Sequence, residues 1–324
     1  MMSIRTSPAS TSQDVQRTQA GHFLIRGEMD LKDTKSTEEL IELLEKRGLT
    51  IDSPLNAKIY LEENGYYHLN IYFHKNMMFE RDDTGKMKRL DRFNEGTTFE
   101  RIIQAHENDR WLRNEIFGII EPIEIKLRSV LAHNLGLKYS SSAFYEPEAF
   151  EDHGKWLELL TRFTKEIEIR CEDPIVQTHL EKYDEKFHIW AVTELISFNL
   201  LVKLYTALHH DDKKAIAKEL NNPPAQFFES WLISISDLRN ICAHHKFLYR
   251  RIYDHYPRLI AQFDWEPEQN KKLFAIMLVI REISAKNKFN ERVERIYLRD
   301  TASPFLNYSD YGFPPDWAER LFID

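Results

Sequence analysis

The chain has 324 residues, of which 42% are hydrophobic and 30% charged, with only 10 glycines. This composition excludes a disordered chain and argues against a turn-rich β-sandwich in favour of helices. The formal net charge of −8, from 44 basic and 52 acidic side chains, argues against a protein that coats nucleic acid along its length, while leaving room for a local basic pocket. Two cysteines, Cys171 and Cys242, give neither a disulfide framework nor a zinc spacing, so no metal or cofactor is expected, and a reducing, cytoplasmic setting fits. The N-terminus has no apolar stretch behind basic residues, so no signal peptide is expected.

Residues 1–30 are rich in Ser, Thr and Gln and lack apolar periodicity, as expected of a mobile tail. A smaller N-terminal lobe, residues 31–97, follows. Ser36-Thr37-Glu38-Glu39 opens a first helix through Leu40, Leu43 and Leu44, and Gly48 is its candidate C-cap. A short helix over 53–63 ends at Asn64-Gly65. The aromatic run Tyr66 to Phe73 fits strand or helix, and packing is its expected role rather than base stacking. Residues 80–97 carry Asp82-Asp83-Thr84-Gly85 and read as a loop.

Residues 98–324 form the second expected domain, which is helical. A long pattern runs from 99 to about 135, with Pro122 expected to kink or restart it. Further helices are expected over 147–170 and 189–208. The second is the most apolar stretch, but Thr193, Glu194, Ser197, Asn199 and Lys203 interrupt it, so it predicts a buried helix and not a membrane span. His209-His210-Asp211-Asp212 reads as a solvated turn, since adjacent loop residues point apart. A helix after Asn221-Asn222-Pro223-Pro224 carries the main motif, and the last long helix begins over 273–283.

That motif is Arg239-Asn240-Ile241-Cys242-Ala243-His244-His245. RNA is cleaved without metal when its 2′-hydroxyl attacks the adjacent phosphorus. One base must take the hydroxyl proton and one acid must protonate the leaving 5′-oxygen. Histidine, with an ordinary pKa of about 6.5, serves either role. Arginine, permanently charged and bidentate, offsets the charge that builds on the phosphoryl oxygens. Asn240 and His244 share a helix face, whereas Arg239 and His244 are about 140° apart on an ideal helix. From Arg239 to Arg258, five basic residues face one acid, Asp254, a local +4. Lys246, Tyr249, Arg250 and Arg251 are therefore candidate RNA contacts, with Tyr253, His255 and Tyr256 interleaved. On spacing alone, a capped and salt-bridged helix end weighs more than a reactive site.

Four separated blocks resemble the Abi-like, abortive-infection proteins of bacteria. They are Thr37 to Leu49 with Gly65-Tyr66-Tyr67-His68-Leu69; Asp109-Arg110-Trp111-Leu112-Arg113 leading to Glu121, Glu124 and Arg128; Ile189 to Phe198; and Leu238 to His245. The last block is similar to the Arg, four to six residues, His signature of the HEPN superfamily of helical RNases. The resemblance implies a mainly α, HEPN-like bundle with a smaller N-terminal helical lobe. It implies Arg239 and His244 as the catalytic pair with Asn240 beside them, an RNA substrate, a role in phage defence or a toxin–antitoxin system, and a homodimer whose motifs face each other. An RNA or protein antitoxin is a further partner it implies. The sequence departs from the family at Asn199, where glycine is usual, and at Tyr249-Arg250-Arg251, where Trp-Asn-Arg is usual.

Glu194, a lone acid in an apolar run, is a candidate support for His244 or Arg239, or equally a partner for a structural arginine such as Arg128. Asp109, Arg113, Glu121, Glu124 and Arg128 read as a structural ion-pair set. His245, next to His244, is a possible support. Three functions remain in competition: a metal-independent RNase, a HEPN scaffold that binds RNA or protein without cutting, and a purely structural interaction protein.

Overall fold

A computed structural model describes residues 33–263, 269–302 and 307–323. The expected tail, residues 1–30, lies outside them. Among the described residues there are thirteen α-helices and a single two-stranded sheet, so the protein is mainly α as expected.

Helix α1 (Thr37–Lys46) begins with a capping box: Ser36 Oγ accepts from the Glu39 N–H, and the Glu39 carboxylate accepts from the Ser36 N–H. Helix α2 (Pro54–Asn64) is capped by Ser53. Gly65, at φ +77°, turns the chain sharply into α3 (Tyr66–Lys75), which settles the aromatic run as helix. Tyr66 stacks on Phe73 and packs against the core, but Tyr67 is 77% exposed, so the expected packing role holds for only one of the pair.

The stretch expected to be a loop is instead a hairpin, β1 (Met77–Arg81) paired antiparallel with β2 (Met87–Phe93). Its turn is built by Asp82, whose Oδ1 accepts from the Thr84 and Lys86 N–H groups, and by Gly85 at φ +80°. Met77 and Phe93 are buried at its base. The polar composition that suggested a loop belongs to strands whose remaining side chains are mostly exposed.

Helix α4 (Phe99–Lys138) is 40 residues long and forms the hub of the fold. It packs against α3, α7 (Ile189–Leu195), α8 (Phe198–Ala207), α9 (His210–Glu219), α10 (Ala225–Ala243) and α12 (Lys286–Ala302). The helix runs through Pro122 without a restart. Its neighbours Ile119, Ile120 and Ile123 are all buried, and that packing holds the helix where one backbone hydrogen bond is lost. Gly118 admits the Arg292 guanidinium of α12, which would lie 2.8 Å from an added Cβ and which pairs with Glu115 at 2.9 Å.

The helix expected over 147–170 starts later. A 3-10 turn (Pro147–Ala149) precedes α5 (His153–Ile169), and α6 (Pro174–Lys182) follows. The single helix expected over 189–208 is two, α7 and α8. Ile196 is extended, and Ser197 caps α8 by accepting from the Leu200 N–H. The carbonyls freed at the end of α7 are taken by Arg128 of α4, which donates to Thr193 O and to Ile196 O. Asp212 is not solvated as expected: it is buried in the first turn of α9 and accepts from Lys138 and Tyr139 at 2.6 and 2.8 Å. Helix α11 (Leu273–Ile283) ends before α12, and α13 (Trp317–Leu321) closes the described chain. One contiguous apolar core reaches from Ile41 in α1 to Leu321 in α13.

Candidate functional site

The motif occupies the last turn of α10 and the residues after it. Phe228, Trp231, Leu232, Ile235 and Leu238 bury one side of this helix, and Trp231 Nε1 donates to Arg258 O at 2.8 Å. Asn199 accepts from Ser236 Oγ and so ties α8 to α10.

The helix ends in a Schellman turn. His245 N–H donates to Cys242 O at 3.2 Å and Lys246 N–H donates to Ile241 O at 3.0 Å. His244 is the C-cap, and His245 stands at φ +55°. Glycine usually fills that left-handed position, because a Cβ there costs about 1 kcal/mol or more. The chain therefore keeps an imidazole at a strained position, exposed beside a second exposed imidazole.

The turn after the motif is held from beneath. Asp109 of α4 is fully buried, and its Oδ2 accepts from the Leu248 N–H at 2.6 Å, Tyr72 OH at 2.7 Å and Arg113 Nη1 at 3.3 Å. Arg113 also donates to Lys246 O at 3.3 Å. Burial raises the Asp109 carboxyl above its ordinary range against the pull of these donors. The Asp109–Arg113 pair expected as structural is thus the support that fixes the backbone behind the two histidines.

Arg239 and His244 come off the end of α10 into different cavities. Arg239 lines one of about 190 Å³ with Phe117, Glu121, Glu124, Ile125 and Arg128. Its Nε donates to Glu124 Oε2 at 3.1 Å while Glu124 Oε1 accepts from Arg128 at 2.6 Å, and the Arg239 guanidinium lies over the Phe117 ring. His244 and His245 line a cavity of about 560 Å³ together with Lys246 and Arg251. The opposite wall is α3, through Tyr67, His68 and Ile71. Burial, with Arg113 and His245 close by, pushes the His68 imidazole below its ordinary range.

The other sequence candidates separate. Asn240 is half-buried, with its carbonyl accepting the His244 N–H at 3.0 Å. Glu194 is exposed on α7 in a third cavity, with Arg128, His133 and Trp190, and lines neither the Arg239 cavity nor the His244 cavity. The carboxylate that meets Arg239 is Glu124, visible in the sequence only as the i,i+4 partner of Arg128. Tyr249 is 7% exposed and stacks on Tyr72 in the core. Arg250 is tied to Asp310 and to Lys75 O, at 2.7 and 2.8 Å. Tyr253 is buried, and His255 pairs with Asp237. Cys242 is buried and its thiol is pushed up to about 12 by that burial, so it is no nucleophile at neutral pH. Tyr67 and His68 are cavity residues whose place the sequence did not reveal. Among the described residues, no group of three or more His, Cys, Asp or Glu side chains is arranged to hold a metal ion, and no helix is long and apolar enough to cross a membrane.

Fold and site together define a helical-bundle protein with an Arg-x4-His helix end and a basic, histidine-lined cavity beside it. The model of the Abi-like protein family matches residues 59–250, more than half of the chain, and the protein belongs to that family. No curated protein matches the chain. No solved structure matches it either.

Proposed function

We propose that this protein is a metal-independent endoribonuclease acting in abortive infection or a toxin-like system. Membership of the Abi-like family suggests phage defence. The observation that carries the chemical reading is the exposed His244–His245 pair, one of them held in a left-handed backbone, five residues beyond Arg239 at the end of a buried helix.

In the reaction, the substrate 2′-oxygen attacks the adjacent phosphorus and the bond from phosphorus to the 5′-oxygen breaks. The 2′-hydroxyl proton passes to a histidine base, and a histidinium proton passes to the leaving 5′-oxygen. Arg239 stabilises the charge on the phosphoryl oxygens, with Asn240 beside it. Arg239 must swing from Glu124 to do so, or meet a phosphate held by a second copy. A homodimer with its two motifs facing each other supplies two histidines on opposite sides of the phosphorus and two arginines in one cleft.

The test is incubation of purified protein with RNA, with and without EDTA, followed by end-group analysis. Cleavage that survives EDTA and leaves a 2′,3′-cyclic phosphate and a 5′-hydroxyl is the expected result, with His244→Ala lowering the rate about 100-fold or more. 5′-Phosphate products, or loss of activity in EDTA, overturn the mechanism. RNA bound and never cut selects a non-catalytic HEPN-type module. Mixing His244→Ala with wild-type chains tests the dimer: a shared site loses activity faster than the wild-type fraction falls.

A further inference from the structure

The cavity beside His244 has a second wall that the motif does not account for. Tyr67 and His68 come from α3 in the N-terminal lobe, far from the motif in sequence, and face the turn that carries His244, His245 and Lys246. At about 560 Å³ the space lies within the ~300–1,000 Å³ typical of small-ligand sites.

Its charge is unusual for this chain. Acidic side chains outnumber basic ones, 52 to 44. Yet among the described residues no carboxylate lines the cavity. Among the described residues, His68, His244, His245, Lys246 and Arg251 take part in no ion pair. The Arg251 guanidinium lies over the Phe247 and Tyr253 rings, 4.9 and 5.7 Å from their centroids, its Nη1 donates to Phe247 O at 3.4 Å, and its buried Nε has no hydrogen-bond partner among the described residues. At the rim, the phenol ring of Tyr67 is 77% exposed, edge-on to Tyr66 with a 5.5 Å centroid separation.

Unpaired cations and open imidazoles suit phosphodiester oxygens, and an exposed aromatic face suits a base that is not already stacked. We propose that this cavity is a nucleotide subsite for unpaired RNA, in which Tyr67 stacks the base while Lys246 and Arg251 hold the phosphate beside it. His68 closes the pocket from the α3 side. The inference rests on the RNA reading above and sharpens it. It gives the N-terminal lobe a part in binding and makes single-stranded RNA the preferred substrate, because bases within a duplex have no free face for Tyr67.

The test is fluorescence anisotropy on the full chain with a labelled 12-nucleotide 2′-O-methyl RNA, which cannot be cleaved by 2′-oxygen attack, and with the same strand in duplex. Wild-type protein is expected to prefer the single strand. Tyr67→Ala should weaken single-strand binding by about ten-fold, with Tyr67→Trp restoring it and duplex binding unmoved. Lys246→Ala should lower the slope of log affinity against log salt by about 0.7 for one lost phosphate contact. Binding within two-fold of wild type for both alanine variants, alongside intact cleavage of ordinary RNA, overturns the subsite and leaves the ribonuclease reading standing. Absence of both binding and cleavage by wild-type protein overturns the two together.

Discussion

Two sides of one helix end behave in opposite ways. On the Arg239 side, Glu124 is shared between two guanidiniums, and one of them, Arg128, closes the end of α7. Both guanidiniums there have a carboxylate partner, and the cavity is small. On the His244 side, two imidazoles and Lys246 stand exposed, without ion pairs among the described residues, and the cavity is about three times larger. The two residues of the motif thus differ in how they are held: the arginine is part of the ion-pair chain that fixes the helices, while the histidine faces open space. A helix end can serve the fold on one face and leave reactive groups free on the other.

The comparison can be broken most forcefully at the support beneath the histidine side. Asp109→Ala removes the acceptor for three donors and leaves Arg113 buried without its carboxylate, so it should cost about 3–5 kcal/mol. Urea unfolding measures this, and a loss below about 1 kcal/mol would mean that the turn holds itself. The same side has a pH limit. His106 is buried beneath α3, with Nδ1 2.6 Å from Tyr60 OH and its ring edge-on to His68, and burial pushes it down to about 4. The unfolded chain takes up this proton near pH 6.5, before the folded one does. Stability from this group is therefore present above pH 6.5 and is lost as pH falls toward 4, about 2 kcal/mol between pH 7.5 and 5. His106→Gln should flatten the unfolding midpoint over that range, and an unchanged pH dependence would count against it.

On the arginine side, Glu124→Gln leaves two part-buried guanidiniums facing a neutral amide and should cost about 1–2 kcal/mol. On the proposed RNA reading, affinity at the histidine-side cavity should stay within two-fold of wild type. A fall in both would show that the two sides act as one unit. The smallest expected effect is a gain: His245→Gly relieves the left-handed backbone and should raise stability by about 1 kcal/mol, seen as a higher Tm. If Tm falls instead, the imidazole makes a contact that outweighs the strain.

Helix periodicity revealed the mainly α fold and the helix that carries the motif, because burial of one stripe repeats locally. It missed the break at Ile196, since the group that stabilises the freed carbonyl is Arg128, 68 residues away. Glu194 looked like a buried acid because its neighbours are apolar, but the break leaves it on the outer face of a short α7. Glu124 was legible as a partner of Arg128 through i,i+4 spacing, whereas its bond to Arg239 spans 115 residues. The Schellman turn was hidden by a histidine standing where glycine normally signals it. Tyr67 looked like its neighbour Tyr66, yet one helix step of about 100° separates packed from exposed.

The Asp109 carboxylate has a consequence for the order of assembly. Its bond to Leu248 closes a loop of 139 residues, while its bond to Tyr72 spans 37. Contacts so distant in sequence form after local helices and short-range pairs. During synthesis, α3 and α4 exist well before Leu248 leaves the ribosome. The motif gains its support, and the cavity its last lining residue, only when the chain has been made through Leu248 and Arg251, so a chain that stops just after His245 holds the histidines without the chamber around them.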